Sequence, residues 1–146
     1  MVCFQLAGRV FKAKSITLVR AMAGGCTKLA SVPDVELDSE GKFKYVLINV
    51  HSPGKDGKEE SKKIVRGFKW APYHSDIYDD TTAKLAQLGL DTECLGGGRI
   101  IHDPDKKTIS VFGYSQGFGK ADHEVSVSLI KRVYPEYQVT WSDEGY

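Results

Sequence analysis

The chain has 146 residues, of which 41% are hydrophobic and 27% are charged, a composition typical of one soluble globular domain. Its formal net charge is +1, and the sequence contains no long repeat and no apolar run of transmembrane length. These properties exclude a fibrous, disordered or repeat-built chain and predict a protein with no membrane partner.

Charge is distributed unevenly along the sequence. Residues 1–33 carry five basic side chains and no acidic one, whereas 15 Lys and Arg against 19 Asp and Glu leave the rest of the chain at −4. Nucleic-acid binding needs a clustered basic surface, and a mildly acidic body does not provide one. We therefore expect no nucleic acid among its partners.

The basic head, residues 1–31, is predicted to be a poorly ordered extension, and residues 32–146 are predicted to form the folded domain. The head has the composition of a mitochondrial presequence, but Met22 also offers a start just before the domain. We favour an extension or a mis-assigned start. Three cysteines without paired or zinc-binding spacing, and the lack of a secretory h-region, favour the cytoplasm, with mitochondria as the alternative.

The first half of the domain predicts three strands. VPDVELDSEG predicts a short strand and a turn, and KFKYVLINVHS predicts a long strand with Lys44 near its start. Both faces of the long strand are largely apolar, which is typical of the centre of a sheet. A polar loop at residues 53–61 separates it from KIVRGFKW at residues 63–70, which we expect to pair with it as a hairpin.

The second half predicts two helices among further strands. From Pro72 the spacing becomes helical, with Ile77, Leu85 and Leu88 on one face and Gly89 as the stop. DTECLGGGRIIHD predicts a strand interrupted by a glycine-rich bend, and KTISVFGYS predicts another strand.

The last elements are a helix with the face Val125, Leu129 and Val133, ended by Pro135, and the short closing strand YQVTW. The order β-β-β-α-β-β-α-β predicts an α+β fold, a two-layer arrangement of a mixed sheet of about six strands with two helices. The patterns do not determine the strand order.

His74 is the first candidate for chemistry, because APYHSDIYDD places it where a strand gives way to a helix. A helix N-terminus binds anions through unpaired N–H groups, and its dipole keeps an imidazole neutral. A neutral histidine beside a phosphate can act as a base or as a nucleophile. The alternative is a surface or capping histidine.

The second candidate is GYSQGFG at residues 113–119, a strand-to-helix connection in which backbone N–H groups and the Ser115 hydroxyl can surround an anion. It matches neither the Walker nor the dinucleotide-binding motif, and it can equally be a simple turn.

CLGGGR, from Cys94 to Arg99, suggests the phosphate loop of a cysteine-dependent phosphatase. Only four residues separate the cysteine from the arginine here, whereas that loop needs five. The preceding Glu93 also opposes a lowered thiol pKa. Arg99 and Lys44 stay candidate phosphate ligands, with solvated surface positions as the alternatives. The remaining histidines, His51, His102 and His123, have no metal-ligand spacing, and we expect structural roles for them.

Six blocks in the same order and at matching spacing, FKYVLINVHS, ESKKIVRGFKW, YHSDIYDD, ECLGGGRI, VFGYSQGFG and YQVTWSDEGY, resemble the Janus/phosphohistidine phosphatase family from about Val32 to Tyr146. The resemblance implies a cytosolic hydrolase that removes phosphate from phosphohistidine, and possibly from phospholysine, in proteins without a metal ion or other cofactor. It implies a protein substrate for a chain that we expect to be monomeric.

The resemblance also assigns site residues. His74 matches the family's proton acceptor, and Lys44 matches its substrate-binding lysine. The other implied ligands are the phosphate loop Ser115, Gln116 and Gly117, the backbone N–H of Ser75, and the bordering Arg66 and Arg99. Gln116 and Gly117 depart from the apolar residues of mammalian members, which leaves loop shape and protein-substrate preference open.

Two mechanisms fit this assignment. Either His74 takes a proton from the water that attacks phosphorus, or it accepts the phosphoryl group itself before water releases it. The rival functions are a non-catalytic phosphoprotein-binding module on the same scaffold and a phosphatase that uses Cys94.

Overall fold

The computed structural model describes residues 28–52 and 60–143. After a helical turn at residues 28–30, these residues form β1 (Val35–Leu37), β2 (Gly41–Ser52), β3 (Glu60–Phe68), α1 (His74–Ala86), β4 (Asp91–Asp103), β5 (Thr108–Phe112), α2 (His123–Val133) and β6 (Gln138–Trp141). The predicted α+β fold and element order are confirmed.

One mixed sheet contains all six strands, in the order β1-β3-β2-β4-β5-β6. The four inner strands pair antiparallel, and the outer strands β1 and β6 each add in parallel. The predicted hairpin is confirmed by the pairing of β2 with β3, which runs from Lys44 opposite Phe68 to Ser52 opposite Glu60.

The double-sided apolar pattern of β2 is explained by two cores. On one face, Val46, Ile48 and Val50 pack with Ile77 and Leu85 of α1. On the other face, Phe43, Tyr45 and Leu47 pack with residues of α2. We refer to these sides of the sheet as the α1 face and the α2 face. Because residues 45–48 of β2 are buried between the two cores, β2 is the central strand that the sequence predicts.

Details of the predicted helices need correction. Helix α1 ends at Ala86, so Leu88 lies beyond it and is 40% exposed rather than part of the buried face. The buried side of α2 includes Val127, Leu129 and Ile130, whereas Val133 is 48% exposed at the helix end.

The predicted glycine-rich bend is also wrong, because β4 runs without interruption through residues 96–98. The only irregularity in its pairing with β2 is a register shift next to Leu47 and Ile48, which leaves Leu95 as an extra residue. A bulge bends a strand locally but keeps it in the sheet.

Two segments bear on the predicted boundaries. Residues 1–27 of the predicted extension, and residues 53–59 of the predicted polar loop, lie outside the described residues. Leu29 is already buried and packs in the same core as Val32, so the packed region includes residues just upstream of the predicted domain start.

Candidate functional site

His74 is the first residue of α1, so the sequence placed it correctly at a helix start. The preceding Tyr73 is extended and closes the helix end, because its N–H donates to the carboxylate of Asp76 at 3.0 Å. Asp76 also places a negative charge in the first turn, where the helix dipole favours it. The local sequence therefore fixes both the start of the helix and the position of His74.

The His74 ring lies over strand β4 and is held in one orientation. Its Nε2 lies 2.9 Å from the carbonyl oxygen of Gly98, and the residue is only 7% exposed. Since a carbonyl oxygen can only accept, the neutral ring carries its proton on Nε2 and donates it. This leaves Nδ1 unprotonated, and no group in the described part of the chain donates a hydrogen bond to it.

Two cationic side chains share the α1 face of the sheet with His74. Lys44 of β2 and Arg99 of β4 are direct cross-strand partners. Lys44 lies two residues before the buried Val46, and therefore on the same face of β2. The sheet thus brings together the lysine and the arginine that the sequence analysis named as phosphate ligands.

The surroundings of His74 lower its pKa below the ordinary histidine value. Burial is the largest cause, and the positive charges of Lys44 and Arg99 add to it, while the hydrogen bond to Gly98 acts in the opposite direction. The imidazole is therefore neutral near pH 7. A neutral ring with an unprotonated Nδ1 can accept a proton or attack an electrophile.

Gly97 explains how the phosphate-loop candidate reaches the same place. A Cβ atom at this position would lie 2.7 Å from Cδ2 of His74 and 3.2 Å from Cβ of Ser115. Both side chains therefore pack on the bare backbone of β4. The Gly97 carbonyl also accepts a hydrogen bond from the Ala121 N–H at 3.1 Å, and the Gly97 N–H donates to the Gly119 carbonyl at 3.0 Å. These two hydrogen bonds hold the loop against β4.

The loop itself is a tight turn whose ends are tied together. Ser115 and Gly119 exchange backbone hydrogen bonds of 3.1 and 2.8 Å, and the Phe118 N–H donates to the Ser115 hydroxyl oxygen at 3.1 Å. Gln116 and Gly117 form the exposed tip, and within the described ranges their N–H groups donate to no protein acceptor. The loop can therefore offer a phosphate these two N–H groups and the Ser115 O–H, but not the Ser115 N–H.

Ser75 is the second residue of α1 and is exposed. The N–H of a residue in the first helical turn has no carbonyl one turn earlier to bond with. It is thus available beside the His74 ring, as the sequence analysis expects for a donor in the phosphate cradle.

Arg66 lies elsewhere. It is 4% exposed, its guanidinium donates to the carbonyls of Val65 and Pro33 at 2.9 and 2.8 Å, and its Nε lies 3.3 Å from the Glu36 carboxylate. These contacts join β3 to β1 and to the segment before it. The structure therefore gives Arg66 a structural environment, and substrate binding by it stays a prediction.

Cys94 does not have the environment of a nucleophile. The thiol is partly buried, and its Sγ lies 3.8 Å from the Gly96 carbonyl oxygen. Burial raises its pKa, which disfavours the thiolate that attack on phosphorus needs.

A hydrogen-bond network on the α2 face supports the loop. The sequence predicted only a structural role for His123 and not its partners. The His123 Nε2–H donates to the Gly113 carbonyl at 2.8 Å, and the Tyr45 hydroxyl donates to His123 Nδ1 at 2.6 Å. Ser126 lies 2.9 Å from the same hydroxyl. Gly113 opens the phosphate-loop candidate, so this network fixes where the loop leaves β5. The signal was the hydroxyl of Tyr45, placed between Phe43 and Leu47 on that face of β2.

Residues 28–52 and 60–143 contain no helix with the length and apolarity to cross a membrane. They also contain no group of three or more His, Cys, Asp or Glu side chains arranged to hold a metal ion.

Comparison with known proteins identifies the family of the chain. The Janus/Ocnus family model matches residues 29–138. The chain is 55% identical over 120 residues to the 14 kDa phosphohistidine phosphatase of Sus scrofa, covering 81% of this chain and 95% of that protein. The human protein of the same name is 54% identical over 120 residues, covering 81% and 96%. The sex-regulated protein janus-A of Drosophila orena is 47% identical over 133 residues, covering 91% and 94%.

The match of the family model extends from the turn before β1 to the first residue of β6, and so includes every candidate site residue. The relatives also align with most of the chain, and about half of the aligned residues are identical. The resemblance inferred from the six sequence blocks is confirmed, and the chain belongs to the Janus/Ocnus family.

Proposed function

We propose that this chain is a protein phosphohistidine phosphatase that works without a metal ion, with His74 as the reacting residue and phospholysine as a further substrate. The names of the pig and human relatives support the reaction class. The observation that carries the proposal is the state of His74. Its Nε2–H donates to the Gly98 carbonyl, its Nδ1 is unprotonated, and the residue stands at a helix N-terminus, where burial and the charges of Lys44 and Arg99 lower its pKa.

The bond that is cut makes this arrangement sufficient. In phosphohistidine a nitrogen of the substrate imidazole carries the phosphoryl group, and this imidazole leaves readily once it is protonated. The enzyme then has to hold the phosphoryl oxygens and supply a nucleophile. Lys44 and Arg99 supply positive charge, and the N–H groups of Ser75, Gln116 and Gly117 supply donors. This positive charge supports the metal-free part of the proposal.

In the first mechanism, His74 is a general base. Water attacks phosphorus while Nδ1 takes a proton from it, the P–N bond breaks, and the leaving imidazole nitrogen takes up a proton. Phosphate is released, and His74 returns its proton to solvent. We favour this version.

In the second mechanism, Nδ1 of His74 attacks phosphorus directly. The phosphoryl group moves from the substrate nitrogen to His74, and water then hydrolyses the new P–N bond. Rapid-quench labelling separates the two versions: acid-labile phosphate trapped on His74 during turnover supports the second, and none trapped supports the first.

The test of the function is hydrolysis of a phosphohistidine peptide in excess EDTA by the wild type, His74→Ala and Cys94→Ser. We expect full activity in the wild type and in Cys94→Ser, and none in His74→Ala. Turnover that survives His74→Ala contradicts the role of His74. Loss of wild-type activity in EDTA contradicts metal independence, and tight binding without turnover indicates a phosphoprotein-binding module instead.

A further inference from the structure

Helix α1 covers only part of its face of the sheet. It packs on β2, β3 and β4, over the core that contains Ile48, Ile64 and Ile77. Ile101 of β4 is 40% exposed even though β4 lies in the interior of the sheet. An apolar side chain exposed in the interior of a sheet marks a face that the layer above leaves uncovered.

The strand register defines this uncovered area. Lys42 pairs with Ile101, Ile101 pairs with Ser110, and Ser110 pairs with Thr140, so these side chains form a row across four strands on the α1 face. Phe112 lies two residues beyond Ser110 on the same side of β5. We term this area the open face, and it consists of Lys42, Ile101, Ser110, Phe112 and Thr140.

The open face begins where the candidate site ends. Arg99 is the cross-strand partner of both Lys44 and Phe112, and it lies two residues before Ile101 on the same side of β4. Same-side neighbours along a strand are about 6.6 Å apart. An extended substrate segment that presents its phosphohistidine to His74 therefore crosses the open face. The substrate residues two to four positions from the phosphohistidine then lie over this face.

The chemistry of the open face is apolar with positive charge. The ammonium of Lys42 lies 5.6 Å from the centre of the Phe112 ring, a cation–π distance, beside the exposed Ile101. Lys44 and Arg99 add two cations at its inner border. Glu40 precedes β2, and Asp103 ends β4, where its carboxylate accepts the N–H groups of a turn. The two acidic side chains thus lie at strand ends.

We propose that the open face is the docking surface for the protein substrate, and that it selects phosphohistidine segments with an acidic and an apolar side chain two to four residues from the modified histidine. The acidic side chain pairs with Lys42, and the apolar one packs on Ile101 and Phe112. This proposal rests on the proposed function. Two observations identify the protein substrate as the occupant. The positive charge of Lys42 complements an acidic side chain, and the open face is continuous with the site at His74.

The test compares three substrates: free phosphohistidine, a phosphohistidine peptide flanked by Glu and Leu, and a matched peptide flanked by Lys and Ser. We expect the wild type to prefer the Glu/Leu peptide by about tenfold in kcat/KM, mainly through KM. Lys42→Gln and Ile101→Ser change exposed side chains outside the site and should each reduce this preference to about threefold or less. Lys63→Gln removes a lysine from the α2 face and should retain the full preference.

The outcomes separate the two proposals. Equal kcat/KM for the two peptides in the wild type, or a preference that survives both Lys42→Gln and Ile101→Ser, contradicts the docking surface. Equal losses on free phosphohistidine and on both peptides also contradict it, because the variants would then act on the site itself. Failure of the wild type to hydrolyse any of the three substrates contradicts the proposed function instead.

Discussion

Helices α1 and α2 begin in the same way, and yet their first residues differ in their hydrogen-bond partners. His74 and His123 each open a helix, each donate Nε2–H to a glycine carbonyl of the sheet region, and each have a pKa lowered chiefly by burial. The difference lies at Nδ1. In His123 it accepts a hydrogen bond from the Tyr45 hydroxyl, whereas in His74 no group in the described part of the chain donates to it.

The comparison shows that position at a helix start does not make a histidine reactive. His123 is 2% exposed and both of its nitrogens are used within the fold, so it can only hold neighbouring groups in place. His74 uses one nitrogen to fix its orientation, and in our proposal the other nitrogen acts on the substrate. The occupancy of the second nitrogen distinguishes the structural histidine from the proposed reacting one.

The largest expected effect comes from the same substitution in both histidines. His74→Gln should lower kcat/KM for a phosphohistidine peptide by about 10³-fold, because the group that moves a proton is lost. His123→Gln should retain kcat to within about tenfold but lower the free energy of unfolding by about 1–3 kcal/mol, because the buried Tyr45 hydroxyl loses its acceptor. Steady-state kinetics and urea unfolding measure the two effects. The reverse pattern would contradict the comparison.

A smaller loss should follow from moving the His74 ring without removing it. In Gly97→Ala the new methyl group would meet the His74 ring and the Tyr45 carbonyl oxygen, at 2.7 and 2.8 Å. We expect a loss of about 10²-fold in kcat/KM, since a shift of about 1 Å in a reacting group costs that much. Gly67→Ala is the matched control, because a Cβ there would crowd Phe43 at 2.9 Å on the α2 face and leave the His74 ring untouched. Equal activity in the two variants would show that ring position is unimportant.

The smallest effect concerns pH. Because the pKa of His74 is lowered, its neutral form persists below the ordinary histidine range, and activity should decline only at more acidic pH. Lys44→Gln removes a cation that lowers this pKa, so the acidic limb of kcat/KM should move to higher pH. Lys63→Gln, with the same charge change on the opposite face, should not move it. An unchanged limb in Lys44→Gln contradicts the assigned charge effect.

Much of the fold follows from local patterns. The double-sided apolar alternation of β2 predicts its central place, and the acidic residues after Pro72 predict the helix that begins at His74. Local patterns failed where distant contacts decide. Gly96, Gly97 and Gly98 suggest a bend that interrupts the strand, yet all three belong to β4, beside a bulge at Leu95.

The physical reason lies in the neighbours of these glycines. A Cβ at Gly96 would meet the backbone of Ala121, and a Cβ at Gly98 would meet the Phe112 carbonyl and the His123 ring. The glycines therefore provide room for groups that are distant in sequence, and no local pattern reveals this. Their strand passes between the two histidines, since Gly97 contacts His74 and Gly98 contacts His123.

The site was predicted in part for the same reason. His74 at a helix start and the glycine-rich loop were recognisable from sequence, and the structure brings His74 and Ser115 together on Gly97. Arg66 and Arg99 could not be told apart, because only the fold shows that Glu36 and two carbonyls hold the Arg66 guanidinium. The partner of His123 is 78 residues away in the sequence, at Tyr45.

The most direct test of the central claim is an NMR spectrum of the ¹⁵N-labelled imidazoles at pH 7, recorded with and without inorganic phosphate. We predict that His74 and His123 both carry their proton on Nε2, and that phosphate shifts Nδ1 of His74 while leaving Nδ1 of His123 unchanged. A His74 ring protonated on Nδ1, or a phosphate response confined to His123, would contradict the account.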